Sequence, residues 1–284
     1  MIRQQIIAAA PYRWRVLEAG QDRPIALCLH GAGASADSFA ALFQPLSDRL
    51  HLIAPDLPGH GQTRLGGHNR SGLPQMAEDI AALMRKMQVT PDLIIGHSAG
   101  AAIALALDPV LRPRGHVLLN AALSTFDGMA GVLFPVIARG LAAAPFAADI
   151  AAATMSGEAK IRGLLTSTGA HPTDEMVTRY RALVRDPAHV KGALKMMAAW
   201  KLDDLRRALP DITTPVHLIA GREDGAVPAD VSVEAARILP NASLAMMDGG
   251  HLLHEEDPDA IACGITDFLD QIDTLNQTGG TDCA

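Results

Sequence analysis

The chain has 284 residues, of which 49% are hydrophobic and 19% are charged, as is typical of a soluble globular protein with a large core. Its formal net charge of -7 and the lack of any run of Lys and Arg exclude a basic surface for nucleic acid. Proline and charged residues interrupt the apolar stretch at residues 128–153, so no membrane span is predicted.

The start of the chain and its cysteines indicate a cytoplasmic protein. Residues 1–16 lack the apolar core of a secretory signal. Cys28, Cys263 and Cys283 are scattered, which is typical of reduced thiols and gives no metal-ligand spacing. We therefore expect neither a bound metal nor another cofactor.

Short apolar runs alternate with helical patterns along most of the chain. The predicted strands are residues 24–31, 51–59, 91–98, 115–123, 216–224 and 242–250. The predicted helices are residues 36–50, 73–88, 99–108, 228–240 and 257–272. Near-continuous apolar strands separated by helices predict an α/β fold, with a mostly parallel sheet covered on both faces. The first 20 residues are expected to add one or two antiparallel strands.

The alternation breaks between about residues 121 and 200, where several helical patterns follow one another without a strand. An insertion there would lie over the carboxyl ends of the strands, where open α/β sheets bind ligands. We therefore predict a core of residues 1–123 and 200–272 with a helical lid at residues 124–199. The polar tail, residues 273–284, is expected to be disordered.

The segment IIGHSAG, residues 94–100, places Ser98 between a predicted strand and a predicted helix. Gly96 and Gly100 lie two residues to either side, and the absence of their side chains permits a very tight turn. In this context G-x-S-x-G is typical of a nucleophile elbow, which exposes the serine hydroxyl above the sheet. Ser98 is therefore the predicted nucleophile, and it needs a base to take its proton.

Two further polar residues follow predicted strands and complete a Ser, Asp, His order along the chain. His251, in MMDGGHLLHEEDP, is the predicted base, and Asp224, in AGREDGAVP, is predicted to orient and stabilise it. The alternatives left open are His254 for the base and Glu223, Asp248 and Asp127 for the acid.

An oxyanion site is expected in the small-residue loop LHGAGAS, residues 29–35, which contains Gly31 and directly follows a strand. This loop is predicted to bring the backbone N–H of Ala32 next to that of Ala99. Two such donors would stabilise an oxyanion as it develops.

Three polar residues close to these motifs are interpreted as structural. His30 belongs to the glycine-rich loop, and His97 directly precedes the predicted nucleophile. Asp56 begins the turn-rich segment DLPGHGQT. We expect each of them to shape a loop or pack beside the site, and to take no part in the chemistry.

These motifs resemble those of the α/β-hydrolase superfamily, over nearly the full length of the chain. The matching segments are LHGAGAS, APDLPGHGQT, GHSAG, GREDGAVP and GGHLLHEEDP. The resemblance implies an eight-stranded, mostly parallel sheet with a helical lid, and a triad of Ser98, Asp224 and His251. Some members of the superfamily place Asp at the elbow. Ser98 argues against their alkyl-enzyme ester chemistry.

A narrower resemblance lies in the elbow and the lid. The segments LLNAALSTFDGMAGVLFP, YRALVRDPAHVKGALKMMAAWKLDDL and GHSAGAAIAL are similar to the BchO group of magnesium-chelatase accessory proteins of bacteriochlorophyll biosynthesis. This resemblance implies a role at or near magnesium insertion into protoporphyrin. Its implied partners are a tetrapyrrole and subunits of magnesium chelatase.

The predicted lid is rich in apolar residues and methionine, which suits a bulky apolar ligand because methionine repacks easily. The alternative is that these residues are the core of the lid itself. They are Met129, Leu133, Phe134, Ile137, Leu141, Phe146, Ile150, Met155, Leu164, Met176, Met196 and Met197.

The arginines considered for binding propionate groups are Arg139, Arg162 and Arg222. An apolar lid face also suggests peripheral contact with a membrane.

Three hypotheses follow for the function. The first is a serine hydrolase that cleaves an ester-type bond of an apolar substrate. The second is a non-catalytic tetrapyrrole-binding accessory to magnesium chelatase, because a fold does not by itself fix a function. The third is an unrelated esterase of small molecules.

Overall fold

The computed structural model describes residues 1–68, 70–124 and 147–278. Its strands are Arg3–Ala9 (β1), Tyr12–Ala19 (β2), Ile25–Leu29 (β3), His51–Pro55 (β4), Leu93–His97 (β5), Gly115–Leu119 (β6), Val216–Gly221 (β7) and Ala242–Met247 (β8). Its helices are Ala40–Leu46 (α1), Leu73–Met87 (α2), Ala99–Leu111 (α3), Ala147–Met155 (α4), Glu158–Thr166 (α5), Asp174–Val184 (α6), Pro187–Ala199 (α7), Asp203–Ala208 (α8), Asp230–Ile238 (α9), Leu253–Glu256 (α10) and Pro258–Thr278 (α11), with 3-10 turns at Ala36–Phe39 and Leu209–Asp211.

The strands form one eight-stranded sheet in the order β1-β2-β4-β3-β5-β6-β7-β8. Strand β2 pairs antiparallel with β1 and β4, whereas β4, β3, β5, β6, β7 and β8 are parallel neighbours. The carboxyl ends of β3 to β8 therefore meet at one edge of the sheet. This topology confirms the predicted mostly parallel α/β sheet and its antiparallel amino-terminal strands.

The central strands are apolar on both faces because helices cover both sides of the sheet. Leu27 and Ile94 pack with helices α2 and α3 on one face, and their neighbours Cys28 and Ile95 pack with α1 and α11 on the other. Burial of each large aliphatic side chain contributes about 1.5–3 kcal/mol. Helix α3 lies within the first of these cores, which explains why its sequence is apolar on every side.

The predicted strands extend past the observed ones at their carboxyl ends. For example, β4 ends at Pro55 and β6 ends at Leu119, whereas the apolar runs continue to residues 59 and 123. The extra residues form loops at the carboxyl edge of the sheet, and some of their N–H groups still bond to neighbouring strands, as Asn120 does to the carbonyl of Ile219 at 2.9 Å. Those loops carry the candidate site.

The last helix differs from the prediction. Helix α11 continues to Thr278, past the predicted helix end at residue 272, and residues 279–284 lie outside the described part, so the expected disorder of the tail stays a prediction. Polar composition is a poor guide to where a helix ends, because a helix that has been nucleated can continue without further apolar side chains.

The region between β6 and β7 contains helices α4 to α8 and no strand, as far as the described residues 147–215 extend. This agrees with the predicted break in the strand–helix alternation. The first part of the predicted lid, residues 125–146, lies outside the described residues. Among the helices described, none has the length and apolar character required to span a membrane.

Candidate active site

Ser98 occupies the turn between β5 and α3, with φ 54° and ψ −118°. A residue other than glycine rarely adopts this conformation, which costs on the order of 1–3 kcal/mol and persists only where the surrounding structure enforces it. The strand ends at His97 and the helix begins at Ala99, so the turn consists of the serine alone. This is the strand–turn–helix context that the sequence predicts for Ser98.

The glycines around Ser98 are required by close backbone contacts. A Cβ atom on Gly96 would lie 2.6 Å from the Cα of Ala101, and one on Gly100 would lie 2.0 Å from the carbonyl oxygen of Leu29. A Cβ atom on Gly31 would lie 3.0 Å from Ser98 Cβ. The loop after β3 therefore lies directly against the elbow and the first turn of α3.

His251 and Asp224 form a hydrogen-bonded pair, with His251 Nδ1 2.7 Å from Asp224 Oδ2. The other carboxylate oxygen, Oδ1, accepts from the N–H of Ala226 at 2.8 Å and of Val227 at 2.7 Å. The Asp224 side chain is 1% exposed and that of His251 is 11% exposed. Asp224 thus shapes its own turn with one oxygen and fixes the His251 ring with the other, and among the described residues His251 Nε2 has no hydrogen-bond partner.

The alternatives for these two positions are placed elsewhere. His254 is fully buried, its ring lies 4.3 Å from that of His97 and 5.2 Å from that of Phe39, and burial lowers its pKa to about 3. The Asp248 side chain is 94% exposed and lies 3.3 Å from Arg222. Glu223 is exposed, and Asp127 lies outside the described residues. The geometry therefore favours His251 and Asp224.

Asn120, directly after β6, connects the loops that carry Asp224 and His251. Its Nδ2 donates to the carbonyl of Gly250 at 2.9 Å, and its Oδ1 accepts from the N–H of Gly221 at 2.8 Å. The sequence analysis missed this residue. The available signal was a lone buried amide at the end of an apolar strand, where an unpaired polar group would be costly.

The His251 loop is also bonded to the elbow itself. His97 Nε2 donates to the carbonyl oxygen of His251 at 2.8 Å, and the rings of these two residues lie 4.7 Å apart. His97 therefore packs beside the elbow, as predicted.

Within the described residues Ser98 Oγ and His251 are not hydrogen-bonded to each other. In this class of site such a bond commonly tightens only when substrate binds.

The loop after β3 presents the Ala32 N–H in a fixed direction. The carbonyl of the preceding residue, Gly31, accepts from His30 Nδ1 at 2.8 Å and from the Ala34 N–H at 3.2 Å. In a trans peptide the N–H points opposite to the carbonyl, so holding the Gly31 carbonyl orients the Ala32 N–H. In the described part of the chain neither this N–H nor that of Ala99 has an acceptor.

His30 and Asp56 shape loops, as the sequence analysis expects. The Leu57 N–H donates to His30 Nε2 at 2.9 Å, so this ring is neutral, and burial lowers its pKa to about 3. Asp56 accepts from the N–H of Ala36 at 2.8 Å and of Gln62 at 2.7 Å. Both side chains therefore hold together the loops that follow β3 and β4.

Residues of the predicted lid contact the loops that carry Asp224 and His251, and also helix α10, which follows His251. The carbonyl of Thr168 accepts from the N–H of Gly225 and of His251, each at 3.0 Å. On α6, Tyr180 donates to the buried Glu255 at 2.7 Å, and Arg179 forms an ion pair with the same carboxylate. Described lid residues thus pack against two of the predicted site loops.

Among the described apolar residues of the lid, Met176 and Met196 are buried, while Ile150, Met155, Leu164 and Met197 are exposed. The remaining apolar residues named for the lid lie within residues 125–146, outside the described part, so the apolar pocket stays a prediction. Arg162 pairs with Asp174 and Arg222 with Asp248, which gives no support to a role in binding propionates.

Comparison with known proteins identifies the class. Residues 26–262 match the alpha/beta hydrolase family, and the chain belongs to this family. A hydrolase structure from Pseudomonas aeruginosa superposes with a TM-score of 0.77 at 21% identity, covering 94% of this chain and 98% of that one.

Sequence relatives add a narrower likeness. The chain is 49% identical over 264 residues to the magnesium-chelatase 30 kDa subunit of Rhodobacter capsulatus, which covers 92% of each chain. It is 28% identical over 286 residues to 2-hydroxymuconate semialdehyde hydrolase of Pseudomonas putida, which covers 95% of each. These findings confirm the resemblance both to the hydrolase family and to proteins associated with magnesium chelatase.

Proposed function

We propose that the chain is a serine hydrolase that cleaves an ester-type bond of an apolar substrate, with Ser98 as nucleophile, His251 as base and Asp224 as its orienting carboxylate. The observation that carries this proposal is the 2.7 Å bond between His251 Nδ1 and Asp224 Oδ2, beside a serine in a strained elbow. A pure binding protein has no need of all three groups in this arrangement.

The first half of the reaction would form an acyl-enzyme. Ser98 Oγ attacks the ester carbonyl carbon while His251 Nε2 takes the hydroxyl proton, and Asp224 stabilises the resulting imidazolium. The carbonyl oxygen becomes an oxyanion, for which the N–H groups of Ala32 and Ala99 are the available donors. Loss of one such donor typically lowers kcat by about 10²–10³-fold.

The second half would release the acid. The imidazolium of His251 gives its proton to the departing alcohol as the carbon–oxygen bond breaks. Water then attacks the acyl-enzyme, His251 takes a proton from it, and Ser98 regains its hydroxyl as the carboxylic acid leaves. Each step uses groups of this chain and one water molecule.

The pathway part of the proposal places this hydrolase with magnesium insertion in bacteriochlorophyll biosynthesis. It is supported by the 49% identity to a magnesium-chelatase subunit. The same observation favours a second candidate, a non-catalytic tetrapyrrole-binding accessory, since that relative is named for a chelatase and not for a hydrolysis. Peripheral contact with a membrane or with chelatase subunits remains a prediction, supported by the exposed apolar side chains of α4, α5 and α7.

Two measurements on wild type and Ser98→Ala separate the candidates. The first is turnover of p-nitrophenyl esters of increasing chain length, which the hydrolase proposal expects to depend wholly on Ser98. The second is an absorbance titration with protoporphyrin and its magnesium complex. Binding of porphyrin without Ser98-dependent turnover would favour the accessory role. Rapid turnover of short esters alone, without porphyrin binding, would favour an unrelated esterase.

A further inference from the structure

His189, on helix α7, bonds to two loops of the core at once. The Gly61 N–H donates to His189 Nδ1 at 3.0 Å, and His189 Nε2 lies 3.1 Å from the carbonyl oxygen of Gly33. The side chain is buried. A lid helix therefore reaches both the loop after β3 and the loop after β4.

These contacts fix the protonation of the ring. Because Nδ1 accepts from Gly61, it carries no hydrogen, and Nε2 is the nitrogen that donates to Gly33. Burial lowers the pKa of His189, which favours this neutral form. The neutral ring thus accepts a hydrogen bond from the loop after β4 and donates one to the loop after β3.

The backbone of α7 is docked as closely as its side chain. Gly192 lies one turn after His189, and a Cβ atom there would lie 1.9 Å from the carbonyl oxygen of Gly59. Asp186 caps the start of the helix through the Ala188 N–H at 3.0 Å and forms an ion pair with Arg64. The helix is therefore held against the core at its first two turns.

His189, from the lid, and His30, from the core, connect the same two loops in the same way. His30 donates to the Gly31 carbonyl and accepts from Leu57, while His189 donates to the Gly33 carbonyl and accepts from Gly61. Along the chain, the Ala32 N–H lies between the Gly31 carbonyl, which His30 binds, and the Gly33 carbonyl, which His189 binds. The His60 ring stands between the two histidines, 5.3 Å from His30 and 5.4 Å from His189.

We propose that His189 is a positioning residue for the oxyanion site. His189 holds the Gly33 carbonyl, one residue after Ala32, so docking of helix α7 anchors the carboxyl-terminal part of the loop that presents the Ala32 N–H. The catalytic part of this inference rests on the proposed function, since it assigns the loop to an ester-cleaving site. The structural part, control of the loop by a lid residue, stands without it.

The kinetic test compares His189→Ala, His189→Gln and His189→Asn with wild type on a p-nitrophenyl ester. We expect His189→Ala to lower kcat by roughly 10–100-fold with little change in KM, because a misplaced oxyanion donor acts on the transition state. It should weaken binding of a trifluoromethyl ketone, a mimic of the tetrahedral state, by a similar factor. The Gln amide can reach the position of Nε2 and should restore most of kcat, whereas Asn reaches only that of Nδ1 and should not.

The matched control is His116→Ala, which removes another buried histidine, bonded to Asp108 at 2.8 Å at the start of β6. It should lower stability without lowering kcat. An unchanged kcat in folded His189→Ala, or equal recovery by Gln and Asn, would overturn the catalytic role.

Hydrogen–deuterium exchange reads the loop without any substrate. Peptides covering residues 30–36 should exchange faster in His189→Ala than in wild type, and unchanged in His116→Ala. If Ser98 proved not to be a nucleophile, faster exchange would still support control of the loop by the lid. Unchanged exchange would overturn the inference whether or not the chain hydrolyses esters.

Discussion

Two histidine clusters lie near the carboxyl edge of the sheet, and they differ in what their rings contact. The first cluster is His97, His251 and His254, and the second cluster is His30, His60 and His189. Of these six described residues only His251 is hydrogen-bonded to a carboxylate. The others are buried, have lowered pKa values, and bond to backbone groups or to none.

The histidine side chain serves two purposes in these clusters, as a connection between loops and as a base. A neutral buried imidazole with a donor on one nitrogen and an acceptor on the other ties two backbone loops together, as His30 and His189 do. An imidazole with a carboxylate on Nδ1 can accept a proton on Nε2, because the carboxylate stabilises the charge. Chemistry is thus expected at His251 alone, and the remaining five rings define the shape of the site.

Among the variants that test this difference between the histidines, loss of His251 is expected to lower kcat the most. Replacement by alanine should lower kcat for an ester by about 10⁶-fold, as loss of a triad histidine does in a comparable serine protease. His254→Leu is the control, since no hydrogen bond of either ring nitrogen would be lost and the volume changes little. If both variants lost activity equally while remaining folded, the distinction within the first cluster would be wrong.

The second effect concerns the carboxylate that sets His251 apart. Asp224→Asn keeps the size of the side chain but removes its charge, so kcat should fall by about 10⁴-fold. Asp248→Asn, at an exposed carboxylate, should leave the rate unchanged. A pre-steady-state burst of alcohol release followed by slow turnover would show which half-reaction depends most on Asp224. Equal rates for Asp224→Asn and wild type would contradict the orienting role.

The smallest effect is a pH dependence of stability caused by the neutral rings. His254 has an ordinary pKa of 6.5 when unfolded, and burial lowers it to about 3 in the fold. Below 6.5 only the unfolded chain binds the proton, so stability is lost as pH falls from 6.5 towards 3. One such group contributes about 1.4 kcal/mol per pH unit to the slope.

Urea unfolding of wild type and His254→Leu at several pH values between 4 and 7 isolates this contribution. The free energy of unfolding should fall less steeply with acid in the variant, by about the slope of one histidine. Parallel curves for the two proteins would show that His254 binds its proton as readily in the folded state as in the unfolded chain, contrary to its burial.

Much of the fold follows from the sequence because burial on both faces leaves a local pattern. The mainly apolar segments at residues 24–31, 91–98 and 115–123 each contain a strand, namely β3, β5 and β6. The elbow is equally local, since Gly96 and Gly100 stand at fixed distances from Ser98. The end of the last helix at Thr278 is not local in this sense, because a polar helix end and a polar tail have similar compositions.

The parts of the site that the sequence analysis missed depend on contacts between distant segments. His189 is far from Gly33 and Gly61 in the chain, and only the docking of α7 brings them together. Thr168 contributes through its backbone carbonyl, which any residue possesses. The sequence could suggest the pairing of His251 with Asp224 because both residues follow parallel strands whose carboxyl ends share one edge.

The central claim is that Ser98 is an activated nucleophile, and covalent labelling tests it most directly. A fluorophosphonate probe should attach once per chain, at Ser98, as located by mass spectrometry of proteolytic peptides. The label should be absent in Ser98→Ala and form far more slowly in His251→Ala, because the hydroxyl then has no base. A wild-type chain that stays unlabelled, or that carries its label at another residue, would contradict the account.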